Sequence, residues 1–215
     1  MAQRNYRMTK FLAALALAFA LQIGTTSMAR AAIEEPAFKS VIKEGAFEVR
    51  DYAPTIVAQV EVRGDFGAAG NRAFNPLAHY IFGNNTQAGK IAMTAPVSQT
   101  RAGAKIAMTA PVSQAKTGDT WTVRFTMPSK YTMATLPRPV NPDVKLLEVP
   151  GQRMAVVQFT GFTGDGTLRE KEAALRAFAA QKGLRLVGAP IYARYDPPWT
   201  VPFMRRNEVM IAVSR

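Results

Sequence analysis

The only histidine of this 215-residue chain is His79, and the chain contains no cysteine. Imidazole and thiolate commonly hold transition metals, so His79 is the first candidate for a metal ligand. Apolar spacing in LAHYIFG directs Leu77 and Tyr80 toward a core and turns His79 away from it. Arg72 and Asn75 share the stripe of His79 on a predicted helix and make it a polar, basic ridge. A solvated helix face explains the same pattern, and the sequence leaves both interpretations open.

The segment YDPPWTVPFMRRNE near the carboxyl end sets apolar side chains beside two guanidinium groups. Two prolines fix a turn after Asp196. The side chains that follow offer flat apolar area next to positive charge: Trp199, Phe203, Met204, Arg205 and Arg206. Such a surface suits a flat apolar ligand that carries carboxylates. The alternative is a structural corner, in which Arg205 or Arg206 pairs with Asp196 and Trp199 closes the end of a barrel.

Glu208 stands in the predicted strand NEVMIAV, on the same face as Met210 and Ala212. A carboxylate on an inward strand face can receive a cationic ligand. More often such a carboxylate is paired with a neighbouring arginine, and Arg206 is the nearest candidate.

Catalytic motifs are missing from the sequence. It contains no Walker loop, no GxGxxG, no HExxH and no serine elbow with a neighbouring histidine. We therefore predict a binding protein and no enzymatic activity.

The first 31 residues have the pattern of a secretory signal peptide. Basic residues precede an apolar run at residues 11–23, and the small-x-small sequence ARA ends at Ala31. The run is shorter than the about 20 residues that a membrane-spanning helix needs, although an uncleaved anchor is the alternative. We predict a periplasmic or secreted domain over residues 32–215.

Positive charge dominates the sequence. The net charge is +12, and removal of the four leader cations leaves +8. An exported basic domain favours small polyanionic ligands or weak association with an anionic membrane surface. The scattered Lys and Arg argue against nucleic acid as a partner.

Two helices are predicted among short strands, at residues 66–81 and 167–182. Pro76 inside the first predicts a kink or a restart with Asn75 as the cap. Thr167 and Glu170 form a capping box for the second. Its buried stripe is predicted to comprise Leu168, Leu175, Phe178 and Ala179.

The phrase KIAMTAPVSQ occurs twice, at residues 90–99 and 105–114. Alternation of Ile, Met, Ala and Val predicts that both copies are strands, and each proline predicts an edge or a bulge. We expect one copy to pair with the strand at residues 121–127 and the other to extend that edge.

A fainter repeat relates residues 49–64 to residues 146–161 at an offset of 97. Each segment is followed by a helix and then by further strands. This order predicts two ββαββ modules joined into one α+β domain.

Three stretches resemble the SOUL heme-binding protein family: the doubled KIAMTAPV, the segment at residues 125–150, and YARYDPPWTVPFMRRNEVMIAV at residues 192–213. The resemblance extends from about Ile33 to the end of the chain. It implies a distorted antiparallel β-barrel flanked by two helices, and non-covalent binding of heme or other porphyrins. Related bacterial effector-binding domains share this fold and bind varied small molecules, so the fold does not settle the ligand.

On this resemblance the first helix and the YDPPW loop border one groove. The expected heme-binding residues are His79, Arg72, Trp199, Phe203, Met204 and Arg205, with His79 as a candidate axial ligand of iron. We expect a tetrapyrrole carrier or buffer. The alternative is a small-molecule binding module for a cationic or amphipathic ligand, with Glu208 as the carboxylate.

Overall fold

Residues 33–86 and 103–214, which the computed structural model describes, contain eleven strands and two α-helices. Their order is β1 Phe38–Glu44, β2 Phe47–Tyr52, β3 Thr55–Arg63, α1 Phe66–Ile81, β4 Asn85–Thr86, β5 Val112–Thr117, β6 Thr120–Thr126, β7 Arg138–Pro139, β8 Lys145–Val149, β9 Arg153–Phe159, α2 Asp165–Gln181, β10 Leu186–Arg194 and β11 Asn207–Val213. A short 3-10 helix, Pro202–Met204, lies between β10 and β11. The predicted signal peptide falls outside the described residues and stays a prediction.

Nine of these strands form one antiparallel sheet in the order β1-β2-β9-β11-β10-β5-β6-β3-β8, while β4 pairs with β7. Within the described residues the edge strands β1 and β8 do not pair with each other. The sheet is therefore open, and the predicted closure into a barrel is wrong. Lys39 and Lys43 on β1 and Lys145 on β8 are exposed, and charged edge strands resist further pairing.

Both helices pack on the same side of the sheet, which we call the helix face. α1 contacts β3 and β6, and α2 contacts β9, β10 and β11. The core under α1 includes Val60 and Val123, and the core under α2 includes Val157 and Val209. The opposite side, the far face, carries a smaller apolar cluster that includes Met154. The sheet therefore separates the side chains of the helix face from those of the far face.

α1 has the predicted bounds, and its amino end is capped by Asp65, whose carboxylate accepts a hydrogen bond from the Ala68 backbone N–H at 2.8 Å. The helix runs through Pro76 without a new cap, so the predicted restart at Asn75 is wrong. Leu77 on the following turn is buried against the sheet, and this packing offsets the cost of an interior proline.

α2 begins two residues earlier than predicted. Gly164 is its N-cap, and no side chain caps the first turn, so the predicted capping box of Thr167 and Glu170 is wrong. The predicted buried stripe is confirmed, with Leu168, Leu175, Phe178 and Ala179 as its buried residues. Of the helices in the described part of the chain, none is long and apolar enough to cross a membrane.

The second copy of the repeated phrase is a strand only at its end. Val112 to Gln114 belong to β5 and pair with β6, which confirms that part of the prediction. The preceding residues are not a strand, because the N–H of Ile106 donates to Ile81 and that of Ala110 donates to Glu34. The expected common face also fails, since Met108 is exposed while Ile106 is buried. The first copy lies outside the described residues.

The two predicted modules correspond to β2-β3-α1-β5-β6 and β8-β9-α2-β10-β11, which have the same element order apart from the short β4 and β7. The counterparts are β2 and β8, β3 and β9, β5 and β10, and β6 and β11. If each strand is exchanged for its counterpart, the order β2-β9-β11-β10-β5-β6-β3-β8 becomes the same order read backwards. Duplication of one module as the origin of this symmetry stays a prediction.

Candidate functional site

The connection between β10 and β11 carries large apolar side chains on its surface. Trp199, Phe203 and Met204 are 82 %, 74 % and 65 % exposed. Val201 in the same connection and Phe162 in the connection between β9 and α2 are exposed as well. We call these five residues the apolar platform. Exposed apolar groups concentrated in this way mark a surface that binds something.

Backbone hydrogen bonds hold the platform in place. The Gly161 N–H donates to the carbonyl of Pro202 at 2.9 Å, which sets the two connections side by side. The guanidinium of Arg205 donates from Nε to the carbonyl of Thr200 at 2.7 Å and from Nη2 to the carbonyl of Pro198 at 2.6 Å. Arg205 therefore braces the loop from within.

The alternative of a structural corner is confirmed in part, because Asp196 and Arg206 are joined by a hydrogen bond and Arg205 bonds the loop backbone. The carboxylate of Asp196 accepts a hydrogen bond from the backbone N–H of Arg206 at 2.6 Å, and no guanidinium pairs with it in the described part of the chain. Trp199 is exposed and closes nothing. The positive charge of Arg205 lies 5.9 Å from the ring centre of Phe162, beside the platform.

His79 and Arg72 are exposed on α1, in agreement with the apolar spacing. Arg72 donates to the backbone carbonyl of Arg63. Phe74 marks a side of α1 that contacts the sheet, because its ring packs on that of Phe125 at 5.6 Å between ring centres. At about 100° per residue, His79 lies about 140° around the helix axis from Phe74, on a different side of α1. Within the described residues no hydrogen bond, ion pair or ring contact joins His79 or Arg72 to the platform. The structure therefore does not bring the two groups together, and the roles expected for His79 and Arg72 stay predictions.

Arg194 is a candidate that the sequence analysis missed. It ends β10 on the helix face, where Nη2 donates to Oε1 of Gln114 and Cζ lies 4.7 Å from the ring centre of Phe66. No described carboxylate pairs with it, and burial lowers the pKa of its guanidinium. Strand alternation could have identified Arg194 from the sequence. It shares a strand face with Tyr192, which packs against the core, so alternation predicts that Arg194 lies on the core side of β10.

Glu208 is a buried carboxylate on the far face. Its Oε1 accepts from Nη2 of Arg206 at 2.9 Å, and its Oε2 accepts from Nη1 of Arg50 at 3.0 Å and from the Tyr195 hydroxyl at 2.7 Å. Arg50 also pairs with Glu48 at 2.7 Å. The expected pairing with Arg206 is thus present, with a second arginine added. Two guanidinium groups already neutralise Glu208, which argues against its predicted alternative role as the receptor of a cationic ligand.

Two tyrosines border this carboxylate. Burial raises the pKa of Tyr195, and the charge of Glu208 raises it further. Burial also raises the pKa of Tyr52, whose oxygen accepts a hydrogen bond from Nη1 of Arg50 at 3.0 Å. Both phenols therefore stay protonated near neutral pH and act as structural hydrogen-bond partners.

A cavity of about 830 Å³ lies between the segment before β1, the start of β3 and the connection after β6. The carboxylates of Glu34, Glu35 and Glu148 line it together with Tyr131 and Met133. Among the described residues no Lys, Arg or His lines it. Its lining thus differs in charge from the surroundings of the platform.

Comparison with known proteins identifies the family of this chain. The sequence model described as SOUL heme-binding protein matches residues 33–212. The chain belongs to the SOUL heme-binding protein family. Heme-binding protein 2 of Homo sapiens is 27 % identical over an alignment of 188 residues, which covers 84 % of this chain and 86 % of the human protein. The resemblance found in the sequence is confirmed, and four of the five platform residues of this SOUL family member, all except Phe162, lie in residues 192–213, one of the stretches that showed it.

Solved structures share the SOUL family fold seen here. The C-terminal domain of EcmrR has a TM-score of 0.55 at 12 % identity, covering 83 % of this chain and 98 % of that domain. A hydrolase from Listeria innocua has a TM-score of 0.54 at 14 % identity, covering 81 % of this chain and 94 % of the hydrolase. At these identities the likeness establishes the fold alone.

Glu208→Gln is expected to lower the free energy of unfolding by about 3 kcal/mol, because it removes the buried carboxylate that accepts hydrogen bonds from Arg50, Arg206 and Tyr195. Urea denaturation followed by circular dichroism measures this change. Glu170→Gln, an exposed carboxylate on α2 paired with Lys171, is the matched control and should cost less than about 0.5 kcal/mol. Equal stability of the two variants would contradict a structural role for Glu208.

Proposed function

We propose that this protein binds heme or another tetrapyrrole without a covalent bond and carries or buffers it without chemical change. Membership of the SOUL heme-binding protein family and the human relative named heme-binding protein 2 support the ligand class. The apolar platform is the single observation that carries the proposal. It supplies flat apolar surface beside a cation, as a porphyrin with two carboxylates requires.

The residues present fit a tetrapyrrole better through its ring than through its iron. The iron of a heme takes only its axial ligands from the protein, because the ring supplies the others. Met204 on the platform offers a thioether, which iron accepts as an axial ligand. His79 stands on the exposed ridge of α1 instead. Binding that rests on ring contacts also accommodates metal-free porphyrins.

The absence of acid–base chemistry is part of the proposal. The phenols of Tyr195 and Tyr52 have raised pKa values and Glu208 is paired with two arginines, so none of them is poised as a nucleophile or base. The protein's role toward the ligand is therefore to shield it and to release it.

Titration of hemin into the purified protein should give a saturable one-to-one shift of the Soret band. Trp199→Ala and Phe203→Ala should each raise the dissociation constant about tenfold, because each removes a large apolar contact. Leu147→Ala, an exposed apolar residue on the edge strand β8, is the control and should leave the constant unchanged. His79→Ala should leave the spectrum unchanged if the platform holds the ring, and a shifted Soret maximum would assign His79 to iron.

No saturable Soret shift with the unchanged protein would sink the proposal. A loss of affinity in Leu147→Ala equal to that in Trp199→Ala would remove the platform as the site, even if hemin binds.

We also propose that residues 1–31 direct export and are removed, so that the carrier acts in the periplasm or outside the cell. The basic start, the apolar run and the ARA sequence support this reading. The intact mass of protein recovered from the periplasmic or secreted fraction should correspond to residues 32–215. Recovery of the full-length mass from the cytoplasm would contradict it.

A second candidate function rests on the cavity and not on the platform. The Ser129 backbone N–H lowers the pKa of Glu34, so that carboxyl stays ionised, and Glu35 pairs with Arg206 at 3.0 Å. Glu148 pairs with none of the described cations. This cavity is suited to an amphipathic cation, with Tyr131 and Met133 as apolar contacts.

Tetraphenylarsonium and tetraphenylborate are probes of nearly equal shape and opposite charge. Calorimetric titration should detect binding of the arsonium and not of the borate, and Glu148→Gln should weaken the arsonium about fivefold or more. Glu170→Gln is the control and should have no effect. Equal binding of both probes, or no effect of Glu148→Gln, would rule the acidic cavity out as a cation site.

A further inference from the structure

Arg194 is a half-buried cation that forms no ion pair with the described residues. Arg124 on the far face likewise donates to a neutral amide, that of Gln59 at 2.7 Å, but the charge of Glu61 acts on Arg124, whereas only burial shifts the pKa of Arg194. Arg50 on the far face pairs with Glu48 and Glu208, and Arg206 pairs with Glu35 and Glu208. Arg194 on the helix face has only a neutral amide and an aromatic ring as partners. No carboxylate in the described part of the chain compensates it.

Burying a guanidinium without a counter-ion costs free energy, and one amide hydrogen bond offsets only part of that cost. Burial lowers the pKa of Arg194, yet a guanidinium remains charged at neutral pH. A positive charge is therefore maintained at a site where the fold itself gains little from it.

Two donor groups of Arg194 have no partner among the described residues. Every buried side-chain nitrogen or oxygen in the described residues has a hydrogen-bond partner. Nε and Nη1 of Arg194 have none, so neither atom is fully buried. The guanidinium keeps the edge with which arginine binds carboxylates in pairs of hydrogen bonds.

Two neighbours of this guanidinium are Gln114 and Gly70. Gln114 is 1 % exposed, and its Nε2 donates to the carbonyl of Phe66 at 3.3 Å, which turns Oε1 toward Arg194. A methyl group at Gly70 of α1 would lie 3.4 Å from Nη2 of Arg194 and 3.1 Å from Nε2 of Gln114. A side chain at position 70 would therefore crowd the amide of Gln114 and contact Nη2 of Arg194.

Arg194 also adjoins the apolar platform. The loop that carries the platform starts at the next residue, and Arg194 is paired in register with Asn207 at the other end of that loop. Asn207 donates from Nδ2 to the carbonyl of Gly161 at 3.1 Å, and the Gly161 N–H donates to Pro202. This chain of contacts connects the strand end that carries Arg194 to the base of the platform, on the same side of the sheet.

We propose that Arg194, positioned by Gln114, binds a carboxylate of the ligand whose ring rests on the apolar platform. The inference rests on the proposed tetrapyrrole function and names the residue that selects a ring bearing free carboxylates. The propionate groups of heme are carboxylates of this class.

The test is a comparison of hemin with hemin dimethyl ester, whose two propionates are uncharged. Arg194→Gln should weaken hemin about tenfold or more and leave the ester unchanged, because only the free carboxylate uses the guanidinium. Arg176→Gln, an exposed arginine of α2 paired with Glu172, is the matched control and should change neither.

Gln114→Glu is a second variant that keeps the size of the side chain. It places a carboxylate beside Arg194 within the protein, so it should weaken hemin and spare the ester as Arg194→Gln does. This variant keeps the inference testable if Arg194→Gln fails to fold, and thermal unfolding of each variant establishes which ones are folded.

An equal loss of hemin and ester in the folded variants, or no loss of hemin, would overturn the assignment while leaving tetrapyrrole binding intact. Failure of the unchanged protein to bind hemin would overturn both the proposed function and this inference.

Discussion

Glu208 accepts hydrogen bonds from both ends of the loop between β10 and β11. The Tyr195 hydroxyl binds it from the start of the loop, and the Arg206 guanidinium binds it from the end. The backbone of Tyr195 also donates to the carbonyl of Arg206 at 3.2 Å. Arg50 ties the same carboxylate to β2, on the far side of β9 in the sheet. The exposed platform depends on this buried ion cluster, because a loop with so little buried apolar surface gains its position from its anchored ends.

Arg50 and Arg194, on opposite faces of the sheet, have different partners. On the far face Arg50 is compensated by carboxylates, so its charge contributes to cohesion of the fold. On the helix face Arg194 is left with Gln114, and two of its donor groups have no partner among the described residues. A strand pleat puts Arg194 and Tyr195 on opposite faces although they are adjacent in sequence. The same short segment can therefore anchor the loop on one side and present a cation on the other.

The fold alone does not set the chemistry. The EcmrR domain and the Listeria innocua hydrolase have the same architecture at 12 % and 14 % sequence identity. At such low identity a shared fold does not imply shared binding or reactive side chains. In this chain the distinguishing features are local: an exposed aromatic loop, an uncompensated guanidinium and an acidic cavity. Their different charges suit different ligands, so the two proposed binding functions are physically distinct.

Long phrases of the sequence were enough to predict the family, and apolar periodicity was enough to predict both helices and the buried stripe of α2. Both kinds of pattern are local properties of the sequence. The sequence also identified the apolar and basic tail and the pairing of Glu208 with Arg206, two residues apart. Three predictions from the sequence were wrong: the capping box of α2, the closure of the sheet into a barrel, and a strand through Ile106 and Met108. Those outcomes depend on which backbone groups meet across the fold, such as the N–H of Ile106 with the carbonyl of Ile81. Only the tertiary structure brought Arg50 to Glu208 and left Arg194 without a carboxylate, because a charge is compensated by groups that are distant in sequence and close in space.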